Sequence, residues 1–119
     1  MDYVNYLLVA IGVFLLFQRF IPTKGVKQIT TADLKKELGS KDKQFVDVRT
    51  PGEYKLRNIK GFINLPLHQL NQQALKKLDK SKEVVVICQS GMRSSKASKT
   101  LKKLGFEKVT NVKGGMSAW

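Results

Sequence analysis

Apolar positions along the chain follow three different spacings. Between Tyr6 and Phe17 they are continuous, twelve residues without a charge or an amide, apolar on every face of a helix instead of along one stripe. Over residues 84–88 the run is short and β-branched, VVVIC, which predicts a strand buried on both faces. Elsewhere the spacing is helical: Leu34 and Leu38 behind a cap at Thr30 or Thr31, then Leu70, Ala74, Leu75 and Leu78, then Ala97, Leu101 and Leu104 stopped by Gly105. Three more strands are predicted at QFVDV (44–48), at Phe62 to Leu65 and at Val109 to Val112, and Glu53 favours the start of a short helix after Pro51. Strands alternating with helices predict an α/β fold, an open parallel sheet flanked by helices on both faces and preceded by an N-terminal hydrophobic helix.

The continuous run sits inside Tyr3 to Pro22 and reaches membrane-spanning length only with Asn5, Gln18 and Arg19 at the interfaces. A cleaved leader fits less well, because the segment opens with Asp2 instead of a basic region and closes on bulky QRFIP. The expectation is a single transmembrane anchor over residues 1–22, a linker over 23–26 and a folded body over 27–119.

Charge sharpens that division. The 119 residues carry 22 Lys and Arg against 9 Asp and Glu, a formal +13, and because the anchor segment holds only Asp2 and Arg19, the whole excess lies beyond it. Arg19, Lys24, Lys27, Lys35 and Lys36 crowd the C-terminal flank of the segment, so the body is expected on the cytoplasmic face of the cell membrane. A 42% apolar fraction excludes a disordered basic tail. Nucleic-acid binding is disfavoured because no recognition-helix motif or aromatic-interleaved basic stripe accompanies the charge. The one cysteine, Cys88, forbids an internal disulfide, and with the one histidine, His68, it makes no metal-ligand cluster, so neither metal nor cofactor is expected.

The informative residues follow the central strand: Cys88, Gln89, Ser90, Gly91, Met92, Arg93, Ser94. Ligands bind at the carboxyl ends of strands in open α/β sheets, and here that loop begins with the only thiol and runs into a helix. Loop amides and the helix N-terminus would face an anion or the Cys88 sulfur, Gly91 would permit the tight turn, and Arg93 would offer a guanidinium fork to an oxyanion. Such surroundings favour a thiolate nucleophile, although a lone cysteine ending a strand is often just a small core residue.

The loop C-Q-S-G-M-R-S resembles the active-site loop of the rhodanese-homology family of single-domain sulfurtransferases. Three further segments match in order: F-V-D-V-R-x-P-x-E-Y at Phe45 to Tyr54, I-x-G-x-I-N-L-P at Ile59 to Pro66, and V-K-G-G-M-x-A-W at Val112 to Trp119. The resemblance implies that Cys88 accepts a sulfane sulfur as a persulfide, with Gln89 to Arg93 cradling it, Ser94 beside them, and Asp47 with Arg49 ordering neighbouring loops. The family's usual Gly-His before Ile59 and Pro before Gly61 are replaced by Arg57, Asn58 and Lys60.

The implied reaction moves sulfur from thiosulfate or a similar small anionic donor to cyanide or a thiol, including a protein thiol, in two covalent steps. A noncatalytic membrane-anchored docking module is the alternative. Cysteine phosphatases and arsenate reductases of related architecture are disfavoured because they place five residues between cysteine and arginine, where this chain has the four from Gln89 to Met92.

Overall fold

The computed structural model describes residues 3–20 and 25–119. Residues 1–2 and 21–24, which include both ends of the expected anchor and half of the expected linker, lie outside the described residues. Helix α1 (Tyr3–Phe20) contains the apolar run, and its side chains from Tyr3 to Leu16 are exposed.

Among the described residues no helix is long and apolar enough to cross a membrane. That overturns the expected transmembrane anchor and, with it, the assignment to the cell membrane with a cytoplasmic domain, and it leaves the membrane contact expected of residues 3–22 without support. The physical reason lies in length: the uninterrupted run from Tyr6 to Phe17 rises only about 18 Å at the helical 1.5 Å per residue, against a hydrocarbon core of about 30 Å. Asn5 on one side and Gln18 and Arg19 on the other close it off.

The body alternates as the periodicities predict: β1 (Val26–Ile29), α2 (Thr31–Glu37), β2 (Lys43–Asp47), α3 (Pro51–Leu56), β3 (Phe62–Asn64), α4 (Leu67–Lys77), β4 (Glu83–Ile87), α5 (Met92–Lys103), β5 (Val109–Val112), and a 3-10 turn at Gly115–Ala118. All pairings are parallel, in the order β1-β5-β4-β2-β3. Strand β4 is therefore central, and its alternating residues serve two cores. Val84, Val86 and Cys88 pack with Leu70, Ala74, Ala97 and Leu101 of α4 and α5, while Val85 and Ile87 pack with Leu34 of α2, Phe45, Ile59 and Met116. Strand β1 is an addition to the predicted set. It lies at the sheet edge against β5, with Val26 opposite Val109 and Ile29 opposite Val112.

Local chemistry fixes the helix starts that matter for the site. Thr50 and Glu53 form a capping box at α3, with Pro51 supplying the first helical residue. Helix α5 instead begins after Gly91 at φ +104°, a left-handed conformation that strains any residue with a Cβ. Both starts fall at the carboxyl edge of the sheet, where β2 and β4 end.

Candidate functional site

Cys88 directly follows β4 and is fully buried in the core shared with α4 and α5. The tight turn brings the chain back over its sulfur, so that the Gly91 N–H donates to Sγ at 2.9 Å. Of the loop amides expected to converge on the sulfur, this is the one within hydrogen-bond distance. On the other side the thiol donates to Ser94 Oγ at 3.3 Å, and the Ser94 hydroxyl donates to the Gly91 carbonyl at 3.1 Å. The Ser94 hydroxyl can rotate from that carbonyl toward Sγ, which allows it to donate to a thiolate once the sulfur has lost its proton.

The loop is held from the opposite side by the C-terminal turn. Met116 N–H donates to the Cys88 carbonyl at 2.8 Å, while the N–H and Oγ of Ser117 donate to the Gln89 carbonyl at 2.9 and 2.8 Å. The Gln89 side chain also reaches Ser117, donating from Nε2 to Oγ at 3.3 Å. The approach is close enough that a Cβ on Gly115 would lie 2.2 Å from the Cys88 carbonyl oxygen. Ser90 and Met92 are exposed on the outer side of the loop, Met92 at 80%.

Arg93 is placed differently from the expected free fork. Its Nη1 and Nη2 donate to the two carboxylate oxygens of Glu53 at 2.6 and 2.9 Å, with both side chains about one-third exposed. This bidentate pair joins the start of α5 to the start of α3 across the carboxyl edge of the sheet. It raises the Arg93 pKa above its ordinary value, and the nearby charges of Cys88 and Asp47 add to the effect. Glu53 was predicted only to favour a helix start. Nothing in the local pattern links it to an arginine 40 positions away, although its capping-box spacing from Thr50 is legible.

Asp47 and Arg49 are buried and paired with each other, at 2.7 Å from Nη2 to Oδ2, and none of their hydrogen bonds reaches Cys88. Arg49 also donates to the carbonyls of Glu53 and Arg57, at 3.4 and 2.6 Å, and so fastens α3, a helix without a buried residue of its own. Asn64 completes this frame by donating to the Asp47 and Arg49 carbonyls. Asn58, which stands where the resembling family usually has histidine, donates to the Tyr54 carbonyl at 2.9 Å and closes the end of α3. His68 is exposed on α4 beside Gln69.

The ion pair carries a pH signature. Hydrogen bonds from Arg93, and then from Thr50, hold the Glu53 carboxyl down from its usual 4.5 to about 2. A carboxyl depressed in the folded state stabilises the protein above the unfolded-state pKa, and the contribution is lost as pH falls through the folded value. Wild type is therefore expected to lose more stability than Glu53→Gln between about pH 4.5 and about 2, by a modest margin because a partly exposed pair is screened. Urea midpoints measured at each pH check this, and parallel curves for the two proteins would refute it.

A family model described as a rhodanese-like domain matches residues 30–119. The putative sulfurtransferase YtwF of Bacillus subtilis is 38% identical over 95 residues, covering 79% of this chain and 90% of that protein. The putative sulfur carrier protein YrkF of the same organism is 36% identical over 95 residues, and there the match covers 79% of this chain but only 51% of the relative's length. Among solved structures, a rhodanese-like domain protein from Staphylococcus aureus superposes with a TM-score of 0.71 at 36% identity, covering 78% of this chain and 90% of that one.

Proposed function

The chain belongs to the rhodanese-like family, and from that premise we propose that it is a sulfurtransferase working through a Cys88 persulfide. The single observation that carries this reading is the Gly91 N–H donating to Cys88 Sγ at 2.9 Å, in a left-handed turn at the start of α5. A cysteine serving only as core filler needs no such donor to its sulfur.

The thiolate of Cys88 attacks the outer sulfur of a donor such as thiosulfate. A new S–S bond forms, the donor's own S–S bond breaks, and its electron pair leaves with sulfite. An acceptor thiolate or cyanide then attacks the outer sulfur of the persulfide, and Cys88 departs as the thiolate it began as, a two-step exchange of the ping-pong type. The Gly91 amide holds the negative sulfur in both steps, and Ser94 follows its charge by rotating its hydroxyl. No protein group has to abstract a proton once the thiolate is present, so Asn58 in place of the family histidine leaves the chemistry intact.

Intact-mass measurement after incubation with thiosulfate and, separately, with an organic persulfide tests the proposal. The expected result is a gain of one sulfur, ~32 Da by the stoichiometry of persulfide formation, with at least one donor, and release of thiocyanate on adding cyanide. Absence of an adduct with both donors would overturn the proposal in favour of a noncatalytic docking module.

A further inference from the structure

The Cys88 site holds an acid that sulfur transfer does not require. Glu53 is fixed in place by the two bonds from Arg93, by the N–H and hydroxyl of Thr50 at 3.1 and 3.0 Å, and by the fastening of its own carbonyl to Arg49. It is thus a positioned group rather than a surface side chain that happens to reach an arginine. Its consequence is a change of charge. A Cys88 thiolate and Arg93 alone would sum to zero, whereas Glu53 brings the group to about one negative charge, and the Asp47–Arg49 pair adds none.

That balance bears on which donor can enter. Thiosulfate carries two negative charges and offers a sulfonate end that suits a guanidinium fork, so it must both approach a negative site and compete with Glu53 for Arg93. An organic persulfide with an uncharged tail carries at most one charge, on the sulfur being transferred, and makes no demand on the fork. Resting on the sulfurtransferase reading above, we propose that Glu53 is a specificity-determining residue that turns the Cys88 site away from dianionic donors and toward organic persulfides of low charge. With such a donor the Cys88 thiolate attacks the terminal sulfur, the S–S bond breaks, and the organic thiolate leaves with the electron pair, so no further reactant is consumed.

The test compares single-turnover rates of Cys88 persulfide formation, read by acid quenching and intact mass, for thiosulfate and for hydroxyethyl persulfide. Glu53→Gln is the variant of choice because Gln at this position still completes a capping box with Thr50. It is expected to raise the second-order rate constant for thiosulfate about tenfold, the scale of removing one like charge from a partly solvated site. The constant for hydroxyethyl persulfide should change by less than about threefold on the same reasoning. Ionic strength provides a second readout that a purely structural role would not move. Added salt should relieve the discrimination against thiosulfate in wild type and leave Glu53→Gln less affected. A thiosulfate rate that is unchanged or lower in Glu53→Gln would overturn the proposal and make Glu53 a support that orients Arg93 for the donor. Labelling of neither protein by either donor would instead overturn the sulfurtransferase reading, and this inference with it.

Discussion

Cys88→Ser is expected to keep its fold and to lose sulfur transfer by at least about 10⁴-fold, the scale on which removal of a covalent nucleophile leaves only residual catalysis. The oxygen of serine can occupy the same buried position and accept the Gly91 N–H, so the packing with Ala97 and Leu101 is disturbed little. What it cannot do is ionise unaided. The side-chain oxygen that meets Cys88 Sγ is the hydroxyl of Ser94, which is not a base, and the protein's one histidine is exposed on α4. A hydroxyl without a base is a poor nucleophile toward sulfur. Unfolding midpoints within experimental error of wild type, together with loss of thiocyanate formation, are the expected result. Persistence of turnover in the folded variant would show that the sulfur is carried elsewhere.

The second large effect lies 27 residues away in sequence, at Gly115. An alanine Cβ there would sit 2.2 Å from the Cys88 carbonyl oxygen and 2.9 Å from two backbone carbons of the loop, at a φ of +55°. These neighbours are main chain and cannot swing aside as a flexible side chain would. Either the Met116 to Cys88 hydrogen bond breaks and the turn lifts away, or the Cys88 loop is pushed out of its conformation. Gly115→Ala is expected to cost at least about 3 kcal/mol, in the range of severe strain combined with lost packing. Gly39→Ala is the matched control. Its φ of +89° is equally left-handed but a Cβ there meets nothing within 4 Å, so about 1 kcal/mol of backbone strain is expected. Denaturant titration of both variants separates collision from conformation, and equal losses would refute the close approach as the cause.

Cys88 is visible in the sequence for a local reason: strand, thiol, turn glycine and helix start follow one another without interruption from Val84 to Ser94. Strands β2, β3 and β4 are legible because their apolar residues are contiguous, and β5 because Val109, Thr110 and Val112 are all β-branched. Strand β1 was not, since Val26-Lys27-Gln28-Ile29 has only its two ends apolar and becomes a strand by pairing with β5. Helix α1 invites a transmembrane reading because it is hydrophobic on all faces, and the shortness of its uninterrupted run is what overrides that signal. The role of Glu53 was hidden by separation: its partner Arg93 is brought near only by the order of strands in the sheet. The same is true of Gly115. The double glycine announces a turn, with Met116 buried by it, but the carbonyl beneath that turn belongs to Cys88 and is found only in three dimensions.

The place of β5 in the sheet also sets an order of assembly. It is the last strand along the chain, yet it lies between β1 and β4, so Val26 must wait for Val109 before it has a partner. During synthesis, which releases the N-terminal residues first, β1 emerges and remains unpaired until nearly the whole body has been made. The sulfur loop waits longer still, because the turn that grips the Cys88 and Gln89 carbonyls follows β5. Closing contacts of such long range is entropically slow, and a nascent chain cut short before Gly115 would contain every residue of the cysteine loop and lack the turn that shapes it.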